Sequence, residues 1–498
     1  MFIANDQTKL MGSPLPGQMH GLNAPPQVTF EALRAEDPRL IGSLSVREVD
    51  AAPCFITTKN YSVEFYNRDG DSLGDQIYTI ESKQSQDVLD VVPYLEQDGK
   101  ILIAMNERIR PALAARSVLM GNSEQETKGL LWNLPGRYLP PSQTGEIVQS
   151  ELRAFLRAGL GLTQQGEAHQ LGGSYLPSCG ASPELCVMMA VPVDPIASDA
   201  QVSYQRNFEA SRCVRFIDVQ AIVSGYLEGT QHDLRLVLAA FRLAKDRGYE
   251  FRLRLPLSSD SKNSQVKTSH VSVLDASEVK SLLASSPCDD SVVARIDVHE
   301  VAASGSPFIK LKRFAVTNHD REGRPLESYE ADVALRRGID AVDVGCYTWI
   351  NGELCMLVKR GVRPVIAIRA LNEHPLHTDP SPLGIEGIAE SLEGECDLAA
   401  IRERAKQGIR EEAGFEPSHQ PIYAGYSYPS PGVNPERVYN FLTELIPDKP
   451  VEAAHTIDER VDLFYLSVDT LIELAEEGVI RDPRLELNAH ILKAAFKD

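Results

Sequence analysis

The stretch Gly387-Ile-Ala-Glu-Ser-Leu-Glu393-Gly-Glu-Cys-Asp397-Leu-Ala-Ala-Ile401-Arg-Glu-Arg-Ala-Lys-Gln407-Gly408-Ile-Arg-Glu411-Glu412-Ala-Gly414 decides how the chain folds. It reads as a glycine turn, an acidic loop, and a helix that stops at a glycine. Asp397 is placed to cap the helix, and Leu398, Ile401, Ala405 and Ile409 recur on one face. Gly414 supplies the stop. Glu411 and Glu412 are adjacent carboxylates in the last turn, where the helix dipole already places partial negative charge. Such a pair is either solvated on a surface helix or gathered around a cation. Hard carboxylate oxygens suit Mg²⁺ or Mn²⁺.

Outward from this stretch the chain repeats itself. Val46-Arg-Glu-Val49 is answered by Val298-His-Glu-Val301, and Asn67-Arg-Asp-Gly70 by Asp320-Arg-Glu-Gly323. Asp87, Asp90 and Gly99 are answered by Asp340, Asp343 and Gly352, within a predicted strand, turn and strand. Both copies reach an arginine and a proline soon after that glycine: Arg110-Pro111 and Arg363-Pro364. Tyr175 to Glu184 answers Tyr426 to Glu436, and Gly229-x-x-x-Asp233-x-Arg235 answers Gly478-x-x-x-Asp482-x-Arg484 at a helix start. The matches keep one order and one offset. They divide the chain into a tail over 1–40, a unit over 41–250, a linker over 251–292 with a polar centre at 257–270, and a unit over 293–498.

A chain of 498 residues carries several cores of ordinary composition, at 43% hydrophobic and 24% charged. A net charge of −20 argues against a general nucleic-acid binder and against an anionic membrane as partner. Eight cysteines show no Cys-x-x-Cys and no zinc-like spacing with histidine, so free thiols in a reducing cytoplasm are expected. No signal peptide or membrane-length apolar run is visible.

The opening stretch resembles the Nudix box. Gly387 and Glu393 keep its first spacing, and Ile409 to Phe415 fit its end. Two departures stand out. Six extra residues separate the glycine from the Glu-Glu pair, and Gln407-Gly408 replaces the Arg-Glu of the box. A carboxylate at 408 would lie one turn before Glu412 and share a metal with it; that carboxylate is missing. Glu403 does not replace it, because eight residues of helix put it about 12 Å from Glu411.

Both units resemble the ADP-ribose and ADP-sugar pyrophosphatase branch of that superfamily. The resemblance rests on the box, on Val358-Lys-Arg-Gly-Val-Arg363, on Ser430-Pro-Gly-x-x-x-Glu436 and on Asp458-Glu-Arg-Val461. It implies an α/β (α+β) fold of two tandem Nudix-type α/β/α sandwiches with N-terminal β arms, forming an intrachain pseudo-dimer. It further implies Glu411 and Glu412 as ligands of Mg²⁺ or Mn²⁺, with Glu412 and the base Glu459 catalytic. A backbone carbonyl beside Gly387 would supply a further ligand. Arg363 and Glu436, with Arg110 in the first copy, would meet the substrate. The alternative for each is an ordinary surface or turn residue. Tyr426 and Tyr428 would stack on a base or lie in the core, and His374 and His377 would touch metal or sit in a loop.

The first copy has Ala158 and Gly159 where the Glu-Glu pair belongs, and Glu209 or Ala210 where the base belongs, while keeping Arg110 and Glu184. It is expected to be non-catalytic and supporting. The expected function is metal-dependent hydrolysis of the diphosphate bond of ADP-ribose or a nucleotide sugar by the C-terminal unit. The alternatives are a non-catalytic binding or sensor protein for such a compound, and a bare scaffold.

Overall fold

A computed structural model describes residues 43–49, 56–67, 69–83, 87–120, 130–139, 149–178, 181–195, 210–257, 272–284, 295–301, 309–319, 325–336, 338, 340–370, 376, 383–392, 394, 397–450 and 462–497. The fold is mixed α and β. The described residues begin with β1 (Ser43–Val49), β2 (Ile56–Tyr66), β3 (Ser72–Lys83), β4 (Asp87–Gln97) and β5 (Lys100–Ile109). Helix α1 (Pro111–Met120), β6 (Leu130–Asn133), β7 (Gly136–Leu139) and α2 (Gln149–Phe155) follow. Then come β8 (Leu162–Gln164), β9 (His169–Gln170), β10 (Cys186–Pro195), β11 (Ala210–Asp218), α3 (Val219–Leu227) and α4 (Leu234–Asp246).

Next, β12 (Val273–Leu274) and α5 (Ala276–Ala284) lie within the stretch read as a linker, and β12 adds itself to the edge of the second large sheet. The same order of elements then returns. It comprises β13 (Arg295–Val301), β14 (Ile309–His319), β15 (Pro325–Arg336), β16 (Asp340–Ile350), β17 (Glu353–Val362) and α6 (Pro364–Ala370). It continues with β18 (Leu383–Glu386), β19 (Ile388–Leu392), α7 (Leu398–Gly408), β20 (Phe415–Pro417), β21 (Ile422–Ser427), β22 (Val438–Pro450), β23 (Asp462–Ser467), α8 (Val468–Glu476) and α9 (Pro483–Ala495).

Each large sheet is built on a central strand buried on both faces. β4 and β16 are almost continuously buried, as strands covered by helices on both sides must be. β4 runs parallel to β10 and antiparallel to β5; β16 runs parallel to β22 and antiparallel to β17. The two hairpins turn at Asp98-Gly99 and Asn351-Gly352, where all four residues have positive φ. That is the backbone of a two-residue turn matching strand twist, and it explains the Asp-Gly and Asn-Gly pairs.

The two arms are exchanged. β1, from the N-terminal part, pairs with β14, and β13 pairs with β2. The exchange is locked by reciprocal ion pairs. Arg116 reaches Asp340 with both Nη atoms at 2.6 Å, and Arg369 reaches Asp87 at 2.7 and 2.8 Å. Between the sheets, α4 and α9 bury almost every side chain in one core drawn from both halves. Asp233 and Asp482 cap these helices, as the repeated Gly-x-x-x-Asp motif predicts. Among the described residues no helix is long and apolar enough to cross a membrane.

Candidate functional site

The site lies on the face of the second sheet that α7 covers. Along β17, alternate residues take opposite faces. Cys355 and Leu357 pack with Ile401, Ala405 and Ile409 of the α7 segment, whereas Met356 and Val358 join the core on the other side. Lys359 continues the α7 side, and its register partner is Glu386 on β18.

Helix α7 starts as expected, with the Asp397 carboxylate accepting from Ala400 N at 2.8 Å. Leu398 departs from expectation: it is 42% exposed. The end also differs from a plain helix. Residues Ile409–Ala413 form a π-helical turn before Gly414, which has φ 67°. The equivalent turn in the first half, Leu156–Leu160, is also π-helical and stops at Gly161 with φ 66°. A π turn rotates the residues after it relative to an α-helix, and such turns gather at functional sites.

Adjacent residues of a helix point roughly 100° apart, and the two glutamates part accordingly. Glu412 turns inward, to 2% exposure, and accepts from Lys359 Nζ, which is also buried. Glu411 stays nearer solvent and accepts from Arg404 Nη1 at 3.1 Å and Gln407 Nε2 at 2.5 Å. Arg404 also donates to Glu390 on β19 at 2.6 Å. Glu390 fills the room beside Gly408, where an added Cβ would lie 2.4 Å from its Cγ. Arg363, just past the end of β17, donates to both oxygens of Glu386.

A divalent ion needs several convergent oxygen ligands with uncompensated negative charge. Here Glu386, Glu390, Glu411 and Glu412 each hold a basic side chain drawn from Arg363, Arg404 and Lys359. Among the described residues, no three acid, histidine or cysteine side chains gather in a metal-holding group. The residues as arranged do not fit Mg²⁺ or Mn²⁺. Lys359, Arg404, Glu386 and Glu390 were not singled out from sequence. Strand parity in Val358-Lys-Arg-Gly would have turned attention to Lys359, but its partner depends on the register with α7.

The other expected site residues fall apart from this cluster. Glu436 is buried and ion-paired with Arg336 of β15. Arg110 belongs to the first half but lies beside the second half's loop, with an Nη 3.5 Å from where a Cβ on Gly432 would stand. Glu184 is buried and held by Arg235 at 2.7 Å. Tyr426 and Tyr428 are buried, and Tyr426 stacks on His232 at 4.0 Å between centroids, with the Arg437 guanidinium over its ring. Their surroundings are filled by the chain itself, the core reading of those aromatics. Glu459, Asp458, Glu393, Glu209, His374 and His377 lie outside the described residues, and Ala210 opens β11.

On the opposite face of β16 the buried Asp343 accepts from Asn488 at 2.7 Å and stands 4.0 Å from Arg484. Burial pushes its carboxyl up to about 7, against the pull of Arg484. Its counterpart Asp90 is better served, by Tyr175 OH at 2.5 Å and Arg235 at 3.3 Å.

No protein-family profile and no curated protein sequence matches the chain. Solved structures that do match include an ADP compounds hydrolase, 14% identical over 42% of this chain and 98% of that one, with a TM-score of 0.26. A NUDIX domain of Shewanella oneidensis NrtR, complexed with ADP ribose, is 14% identical over 29% and 79%, TM-score 0.19. A NUDIX hydrolase from Nitrosomonas europaea is 16% identical over 33% and 93%, TM-score 0.22.

Proposed function

We propose that the chain is a tandem of two Nudix-type units joined as an intrachain pseudo-dimer, and that its C-terminal half takes a nucleoside diphosphate-linked compound of the ADP-ribose or nucleotide-sugar class. The exchanged arms and reciprocal ion pairs support the pseudo-dimer. The reading of the site that the geometry supports best is binding without cleavage. One observation carries it: Lys359 and Arg404 neutralise Glu412 and Glu411, and Gly408 supplies no third carboxylate. Fixed ammonium and guanidinium groups on those oxygens take the place of the charge that a divalent ion would bring. Arg363 offers forked donors of the kind that recognise phosphate. The first half, with Ala158 and Gly159 at the matching turn, supplies support and surface.

The second reading is hydrolysis of the diphosphate bond with Mg²⁺ or Mn²⁺, using Glu411 and Glu412 as ligands and Glu459 as base. What favours it is that the adjacent carboxylates persist at the helix end. One experiment separates the readings. The purified protein is incubated with Mg²⁺ or Mn²⁺ and a panel of nucleotide sugars and ADP-ribose, with Glu411→Gln alongside. Calorimetry follows binding. Heat of binding without monophosphate release supports the proposal. Release abolished by Glu411→Gln replaces it with hydrolysis, and neither signal leaves a scaffold.

A further inference from the structure

Three oxygens surround the Arg404 guanidinium. Nη2 donates to Glu390 Oε2 at 2.6 Å, Nη1 to Glu411 Oε2 at 3.1 Å and Nε to Ser391 O at 3.4 Å. Two carboxylates and a backbone carbonyl are a hard-oxygen donor set, and an ion such as Mg²⁺ commonly takes one or two carboxylates and completes its sphere with water. Here a guanidinium stands among those oxygens. One of the carboxylates comes from an unexpected place. The helix loses a carboxylate at Gly408, and Glu390 enters from β19 into the room that the glycine leaves, with its carboxyl carbon 3.4 Å from where a Cβ on 408 would stand. A carboxylate thus returns to the helix end from the strand, already bonded to Arg404.

The first half has the same bridge without the carboxylate pair. Leu89 pairs with Arg137 on β7 as Val342 pairs with Glu390 on β19. Arg137 reaches Glu151 on α2 at 3.3 Å. The strand-to-helix ion pair recurs with its charges exchanged. In the first half the cation sits on the strand, and Ala158 stands where the second half has Glu411. In the second half the cation sits on the helix, where it collects a second carboxylate. A bridge needed only to join strand and helix works in either polarity. The second half has the polarity that places the cation on Glu411.

We infer that Arg404 is a resident counter-ion that closes this helix end to divalent metal, and that Glu390, Glu411 and the Ser391 carbonyl take up Mg²⁺ or Mn²⁺ once its guanidinium is removed. This deepens the proposed function and rests on it for metal-free ligand binding, whereas the metal readout needs no nucleotide. Glu412 takes no part, because Lys359 holds it in the interior. Glu390 is not held by Arg404 alone. An ion entering the wild-type site must displace the guanidinium from two carboxylates, and each charge-assisted hydrogen bond so lost costs about tenfold or more in affinity.

The test uses the full chain and Mn²⁺ alone, followed by calorimetry and by loss of the paramagnetic signal of the free ion. Arg404→Gln is expected to bind one Mn²⁺ per chain, at least about tenfold more tightly than the wild type does. Adding Glu411→Gln or Glu390→Gln removes the gain. Arg410→Gln, which takes away a charge that meets Glu416 in the next turn, gains nothing. Thermal unfolding shows that each variant is folded, and Arg404→Met, which keeps an unbranched stem, replaces Arg404→Gln if that variant is not. A folded variant that binds Mn²⁺ no better than the wild type overturns the inference, and so does a gain that survives the loss of Glu411 and Glu390. Either result leaves the proposed function standing, because ADP-ribose binding is read separately on the wild type in the presence of a chelator. ADP-ribose that fails to bind there overturns the proposed function, while an Mn²⁺ gain that depends on Glu390 and Glu411 still supports the resident counter-ion.

Discussion

Arg242 and Glu486 meet in a bidentate pair at 2.7 and 2.8 Å with both side chains almost fully buried. Burial alone would raise the Glu486 carboxyl, but Arg242 and then His490 bring it down to about 2 from 4.5. A carboxylate lowered in the folded state adds stability that is present above the unfolded value and fades as pH falls from about 4.5 towards 2. Glu486→Gln leaves Arg242 buried without its counter-charge and should cost about 3–5 kcal/mol at neutral pH. Urea unfolding at pH 6 and pH 3.5 should show the gap from wild type shrinking at the lower pH. A gap that stays constant counts against the assignment. Asp343 has the opposite sign. Its carboxyl is raised to about 7 from 3.8, so its contribution falls as pH climbs through that window. Asp343→Asn keeps an acceptor for Asn488 and should raise the melting temperature more at pH 8 than at pH 5. An equal gain at both would show that the charge does not matter. Sequence pointed to Asp90 and Asp343 as a repeated pair. It did not show that Tyr175 serves one while the other is left with a more distant arginine, because that depends on packing from distant segments.

At the scale of the element, α7 was legible at both ends, because capping and termination are local chemistry. Asp397 caps it and Gly414 stops it, as the sequence dictates. The π turn between them was not legible. Nor was the packing of Gly408 against Glu390, which joins two segments whose register is set by the sheet. That contact is testable. Gly408→Ala puts a Cβ into Glu390 and should destabilise by about 1–3 kcal/mol, the usual cost of overpacking. Glu390→Ala opens the space, so the double variant should be more stable than the sum of the single effects predicts. Additive losses in chemical unfolding would mean that the helix end and β19 are not in contact. The same double-mutant logic applied to Lys359→Met and Glu412→Gln should show strong coupling, since either change alone leaves a buried charge uncompensated.

At the scale of the whole molecule, the repeat was readable because turn residues, caps and strand starts recur in one order. The exchange of arms was not, since a β strand carries no sequence mark of the sheet it will join. The exchange has a physical consequence. Without β1, the edge of β14 presents unpaired backbone groups, and without the first half Asp340 loses Arg116. The buried faces of α4 and α9 would also be laid open to water, since each helps to cover the other. A C-terminal fragment made by deleting residues 1–250 should therefore be insoluble or inactive, and so should the N-terminal half alone. Expressed together as separate chains, the halves should recover a soluble complex of one copy each, because the arms pair across the break rather than within a half. On the proposed pseudo-dimer reading, the uncut chain supplies both partners of the exchange itself and should sediment as a monomer. Co-purification and sedimentation check both points. A C-terminal fragment that is soluble, monomeric and fully active in ligand binding would show that the first half contributes neither fold nor surface, and the pseudo-dimer would then have to be abandoned.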